Sequence, residues 1–226
     1  MGVLEGICVR EIAQPFPAWF TGTPFDHWNG GLPYREITQI RGPVGSGKTT
    51  LLVQFLNGFG TYKSSGDGKI VYITSDVVTK RISSPFHVGC YCTDNLSHVR
   101  FVLEDARPSP HDLVVIDDVG DYFYSGPEGS AASEWNHIAE ILTRSECTTV
   151  VAETHRKVAT HQIAGRSLSR NVLDYITSLC FDLSLIATTI YGPVVEALVV
   201  KSKISTEASP LRLWIRPEHK TPVMIT

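Results

Sequence analysis

The chain has 226 residues, with 20 Lys and Arg against 23 Asp and Glu for a formal charge of −3, and 42% of its residues are hydrophobic. That suits one ordinary domain with a real core; it excludes a disordered chain, a membrane-spanning helix, which needs roughly 18 uninterrupted apolar residues, and nucleic-acid binding by bulk positive charge. Five cysteines are too few and too unevenly spaced for a secreted disulfide framework, and the N-terminus has no signal-peptide pattern, so the expected compartment is intracellular, cytoplasmic or nuclear.

Residues 1–24 are rich in Pro and aromatics (Pro15, Phe16, Pro17, Trp19, Phe20) and read as an arm packed on a surface, with one domain over residues 25–226. Glu36–Arg41 is predicted as a strand, Lys48–Asn57 as a helix, Gly58 to Gly68 as a loop, and Lys69–Ser75 and His87–Cys92 as further strands. From Asp94 to Ala106, Leu96, Val99, Val102, Leu103 and Ala106 share one helical face, with Thr93 or Asp94 available as a cap. Leu113–Ile116 is an apolar run fit for a strand buried on both faces. A helix after Gly129 carries Trp135, Ile138, Ala139 and Leu142 at i, i+3, i+4 and i+7, and leads to a strand at Thr148–Ala152. Strand and helix alternate, which predicts a mostly parallel sheet flanked by helices. Val194–Val200 and Leu211–Arg216 read as consecutive strands that add an antiparallel edge.

Gly42-Pro43-Val44-Gly45-Ser46-Gly47-Lys48-Thr49 fits GxxxxGK[ST] between a predicted strand and a predicted helix. Glycines let successive backbone N–H groups turn inward around a phosphate, and the helix start adds the positive end of its dipole. Lys48 is expected at the β- and γ-phosphates of ATP and the Thr49 hydroxyl on Mg²⁺, with Thr50 beside it among the nucleotide-binding residues. A glycine-rich turn that merely precedes a helix is the plain alternative. The apolar strand ending in Asp117-Asp118 supplies the second acidic element. Asp117 is the expected partner of Thr49 in the magnesium shell, while Asp118 orients a water or simply caps a solvated turn.

Thr21 to Leu51, TGTPFDHWNGGLPYREITQIRGPVGSGKTTL, resembles the start of the ATPase core shared by RecA-type recombinases, archaeal RadA and RadB, and the KaiC group. In those proteins a Thr-Gly segment, an Asp and a Gly-Gly-hydrophobic turn lead into a strand and the phosphate loop. The resemblance implies a RecA-like P-loop ATPase domain over residues 25–226. No room is read upstream for a separate helical DNA-binding domain, so the likeness is to short recombinase paralogs such as RadB. The family's second strand ends in an acidic residue that activates the attacking water, which places Asp76 in that role. Family members usually have Glu there, and Asp reaches about 1.5 Å less, so either the backbone compensates or hydrolysis is weak. Arg81 matches the family's adenine-contacting arginine, with an exposed helix residue as the alternative.

After the Thr148–Ala152 strand, Glu153-Thr154-His155 stands where the family often has an Asn-Gln pair, so Thr154 or His155 takes the γ-phosphate sensor role. The following stretch to Leu173 has no acidic residue but carries Arg156, Lys157, Arg166 and Arg170, which suits the phosphate backbone of single-stranded or branched DNA, or else a solvated basic loop. Lys201-Ser202-Lys203 resembles the KxK or KxR pair with which KaiC-like ATPases reach a neighbouring subunit's γ-phosphate, which implies a homo-oligomer; two surface lysines are the alternative. His87, Cys90, Cys92 and His98 lack zinc-knuckle spacing, and ordinary burial is expected. Three functions are therefore in view: an ATPase acting on DNA in recombination or repair, a nucleotide-gated scaffold for a recombinase partner with little hydrolysis, and an oligomeric nucleic-acid translocase. A small-molecule kinase ranks last, because its phosphate loop tends to lie nearer the N-terminus.

Overall fold

A computed structural model describes residues 18–19, 21–62, 68–75, 88–119, 130–154, 172–190, 192–202, 210–214 and 223–224. Strands and helices follow in chain order among them: β1 (Ala18–Trp19), α1 (Pro24–Asn29), β2 (Leu32–Pro33), β3 (Ile37–Gly42), α2 (Lys48–Tyr62), β4 (Ile70–Thr74), β5 (Val88–Cys92), α3 (Leu96–Ala106), β6 (Leu113–Asp117), α4 (Ser130–Ser145), β7 (Thr148–Thr154), β8 (Leu179–Thr189), β9 (Gly192–Ser202), β10 (Leu211–Trp214) and β11 (Val223–Met224), with a helical turn over residues 172–176 before β8. Nine strands form one sheet in the order β11-β10-β9-β8-β3-β7-β6-β4-β5. From β8 to β5 every pairing is parallel, and β9, β10 and β11 continue from β8 antiparallel. The chain is thus α/β, with a mostly parallel central sheet, helices on its faces and antiparallel edge strands.

The alternation of side chains along each strand divides the core in two. On one face Ile40, Ile70, Tyr72, Val115, Ala152 and Phe181 meet Leu51, Leu52, Phe55 and Leu56 of α2. On the other, Ile37, Val71, Ile73, Val114, Ile116 and Val151 meet Val99, Val102 and Leu103 of α3 and Trp135, Ile138 and Leu142 of α4. The apolar stripes read on α3 and α4 are the buried ones.

The segment before the phosphate loop folds locally for a definite reason. Thr23 caps α1 by accepting from Phe25 N, and Asp26 accepts from the Thr21 and Gly22 amides at 2.8 and 2.7 Å, so one carboxylate holds the Thr-Gly turn. Phe25 then seats α1 on the core, with ring centroids 4.7 Å from Phe181 and 5.4 Å from Phe55. Trp19, in the expected arm, packs against the core of its own chain.

Several expectations need correction. The stretch from Gly58 to Gly68 is not all loop, because α2 runs on to Tyr62. Gly costs a helix only about 1 kcal/mol, too little to stop one already propagating. The cap of α3 is Asn95, whose side chain accepts from Ser97 N, rather than Thr93 or Asp94. No strand is expected from the sequence over Leu179–Thr189, yet β8 joins the parallel and antiparallel halves there. Of the thiols expected to be buried on β5, Cys90 is half-buried and Cys92 exposed. Among the described residues no group of three or more His, Cys, Asp or Glu is arranged to hold a metal, and no helix is long and apolar enough to cross a membrane.

Candidate functional site

Strand β3 ends at Gly42 in the middle of the sheet, and the chain turns through residues 43–47 into α2. Gly45 and Gly47 take φ of 79° and 81°, and the Ser46 amide donates to the Pro43 carbonyl at 3.3 Å. Gly42 needs its missing side chain for space, since a Cβ there would lie 2.7 Å from Ser46 Oγ and 2.9 Å from the Leu183 carbonyl. Gly45 has open space around it and needs only the left-handed backbone. Lys48, the first residue of α2, is buried and donates to the Gly42 and Pro43 carbonyls at 3.1 and 2.9 Å. Burial pulls its pKa below the usual lysine value, and the negative charges of Asp118, Asp117 and Glu153 oppose that shift.

Asp117 ends β6 on the face that carries α2, two strands from β3. Its carboxyl is only 2% exposed, and burial raises its pKa; the Thr49 and Tyr72 hydroxyls against it and the Lys48 charge act the other way. The Tyr72 hydroxyl donates to Oδ2 at 3.0 Å, whereas Oδ1 is buried with no hydrogen-bond partner. The hydroxyl of Ser46, inside the loop, is likewise buried and unpaired. An orphaned carboxylate oxygen and an orphaned hydroxyl, beside a threonine and a lysine at a helix start, are a donor set for hydrated Mg²⁺ and a phosphate chain. The residues present fit both groups.

The sheet brings other expected residues together as well. Thr154 pairs with Gly42 across β3 and β7, which puts it at the same edge of the sheet as the loop. Asp118 follows directly with φ 59°, and its Oδ1 is buried without a partner. Val44 is exposed at the loop's tip, and Thr50 lies half-buried in the first turn of α2. Lys201 is elsewhere: it pairs with Cys180, level with Gln39 on β3, which is three residues or about 10 Å from Gly42 along the strands. Its ammonium donates to the carbonyl of Asp174 at 2.5 Å. The fold therefore does not bring Lys201 to its own phosphate loop. Asp76, Arg81, Arg156, Lys157, Arg166, Arg170 and Lys203, with His155, lie outside the described residues.

Two site residues escape a sequence reading. Tyr72 contacts Asp117 from 45 positions away, and its one signal was a phenol inside an otherwise apolar buried strand. Arg41, one residue before the loop, bonds Asp182 of β8 at 2.6 Å and lies 3.6 Å from Asp174, while Gln39 donates to Glu153 at 2.7 Å. Those pairs brace β3 against both neighbouring strands. Compared with models of protein families and with curated protein sequences, the chain matches none.

Proposed function

We propose that the chain is a RecA-like P-loop ATPase of the recombinase-paralog type, binding Mg²⁺-ATP at Gly42–Thr50 and coupling nucleotide state to single-stranded or branched DNA or to a recombinase partner. The observation that carries this reading is the convergence of Lys48, Thr49 and the orphaned oxygen of Asp117 at one end of the parallel strands. The loop amides and Lys48 bind and orient the triphosphate, Thr49 and Asp117 hold the hydrated cation, and Thr154, or His155 after it, takes the sensor role at the terminal phosphate. Bound Mg²⁺ supplies neutralisation of the charge that develops on the transferred phosphoryl group. Asp76 takes the water's proton, Arg81 lies against the adenine, and Lys201 with Lys203 serves a neighbouring subunit in a homo-oligomer.

The test is ATP turnover with and without single-stranded DNA, together with nucleotide affinity for Lys48→Ala. Stimulated hydrolysis in the parent and loss of nucleotide binding in the variant are expected. Retained affinity in Lys48→Ala refutes the site, and tight binding with negligible turnover favours the scaffold reading, in which the short Asp76 is a poor base.

A further inference from the structure

Tyr72 is fully buried on β4, a strand otherwise made of Ile70, Val71, Ile73 and Thr74. A phenol there needs a partner for its hydroxyl, and an aliphatic residue would fill the same space without that need. The partner is Asp117 Oδ2, 3.0 Å away on the neighbouring strand β6. The phenol's proton is thereby committed to that carboxyl oxygen.

A carboxylate has two equivalent oxygens and a soft terminal torsion, so a lone Asp117 can turn either oxygen toward Thr49 or Lys48. Occupying Oδ2 breaks that equivalence and leaves Oδ1 as the oxygen without a protein donor. We propose that Tyr72 is a positioning residue for the magnesium site, setting which Asp117 oxygen faces the hydrated cation. The inference rests on the nucleotide-site reading above and adds to it a residue that neither the loop motif nor the resemblance assigns. Outer partners of this kind change metal affinity by about 10–100-fold when removed.

The test is the calorimetric affinity of a non-hydrolysable ATP analogue, measured once in EDTA and once with MgCl₂. The ratio of the two constants is the cation's contribution. Tyr72→Phe is expected to reduce that ratio by about tenfold while leaving the EDTA affinity at the parent value; a merely structural role would lower both affinities together and keep the ratio. An unchanged ratio overturns the inference. Should Tyr72→Phe fail to fold, Tyr72→Met fills the buried position without a hydroxyl and takes the same measurement, with the same drop of about tenfold in the ratio expected; no drop overturns the inference there too. Parent protein that binds no analogue in either buffer instead removes the nucleotide site itself, and this inference with it.

Discussion

At the residue scale, Asp117 sets function against stability. Burial raises its carboxyl pKa above the unfolded value, so the folded state is favoured at pH below that unfolded value and loses this advantage as pH rises through the folded pKa. Without metal at neutral pH, that raised pKa is a cost to the fold that Tyr72, Thr49 and Lys48 only partly offset. Asp117→Asn keeps an oxygen for the Tyr72 hydroxyl and removes the charge. It should raise the metal-free melting temperature by about 2–4 °C for each kcal/mol relieved, and the gain should shrink on acidification as the parent carboxyl takes up its proton. Thermal unfolding across pH reads this directly; a variant that melts lower than the parent at neutral pH contradicts it. In the same variant the Mg²⁺-dependent part of nucleotide affinity should fall.

At the scale of elements, the phosphate loop depends on how closely β3 approaches β8. Gly42 lies where a Cβ would press on the Leu183 carbonyl, which is backbone and cannot swing aside. Gly42→Ala should therefore cost about 1–3 kcal/mol by overpacking and weaken nucleotide binding by displacing the loop. Gly45→Ala meets nothing and pays only for a left-handed backbone, about 1–2 kcal/mol. Urea unfolding with nucleotide titration separates them: Gly42→Ala should lose more affinity than Gly45→Ala at equal loss of stability, and equal losses would mean that the tight contact is immaterial to the loop.

Those two glycines also show what the sequence could and could not reveal. The loop was legible because its chemistry is local: eight consecutive residues, set between a strand and a helix, specify the turn themselves. The stripes of α3 and α4 and the apolar run before Asp117 were legible for the same reason, each carrying its own periodicity. Strand β8 was not, since its outer half, with Ser184 to Thr188 exposed, shows neither a buried run nor alternation and is paired with β9, while β3 holds only Leu179 to Asp182. Helix α1 is six residues long, too short for a period to register. Tyr72 and Arg41 were missed because their partners lie 45 or more positions away.

On the scale of the whole molecule, the stretch between β7 and β8 that carries Arg156, Lys157, Arg166 and Arg170 leaves the sheet beside the loop at Thr154 and rejoins the described chain near Asp174, which Arg41 approaches. Its two ends are therefore tied to the strand that leads into the phosphate loop. Four phosphate contacts to single-stranded DNA predict a log–log salt slope of about −2.8, measurable by fluorescence anisotropy; a flat slope removes the DNA assignment.

Strand β3 is the fifth of nine in the sheet, with neighbours that come much later in the chain, at 148–154 and 179–189. A ribosome must therefore have released most of the polypeptide before Gly42 can acquire Thr154 on one side and Leu183 on the other. During synthesis the loop motif exists as letters long before it exists as a receptor. Under the proposed function, nucleotide capture is then expected to report a finished sheet, and a half-made product is expected to be silent to it.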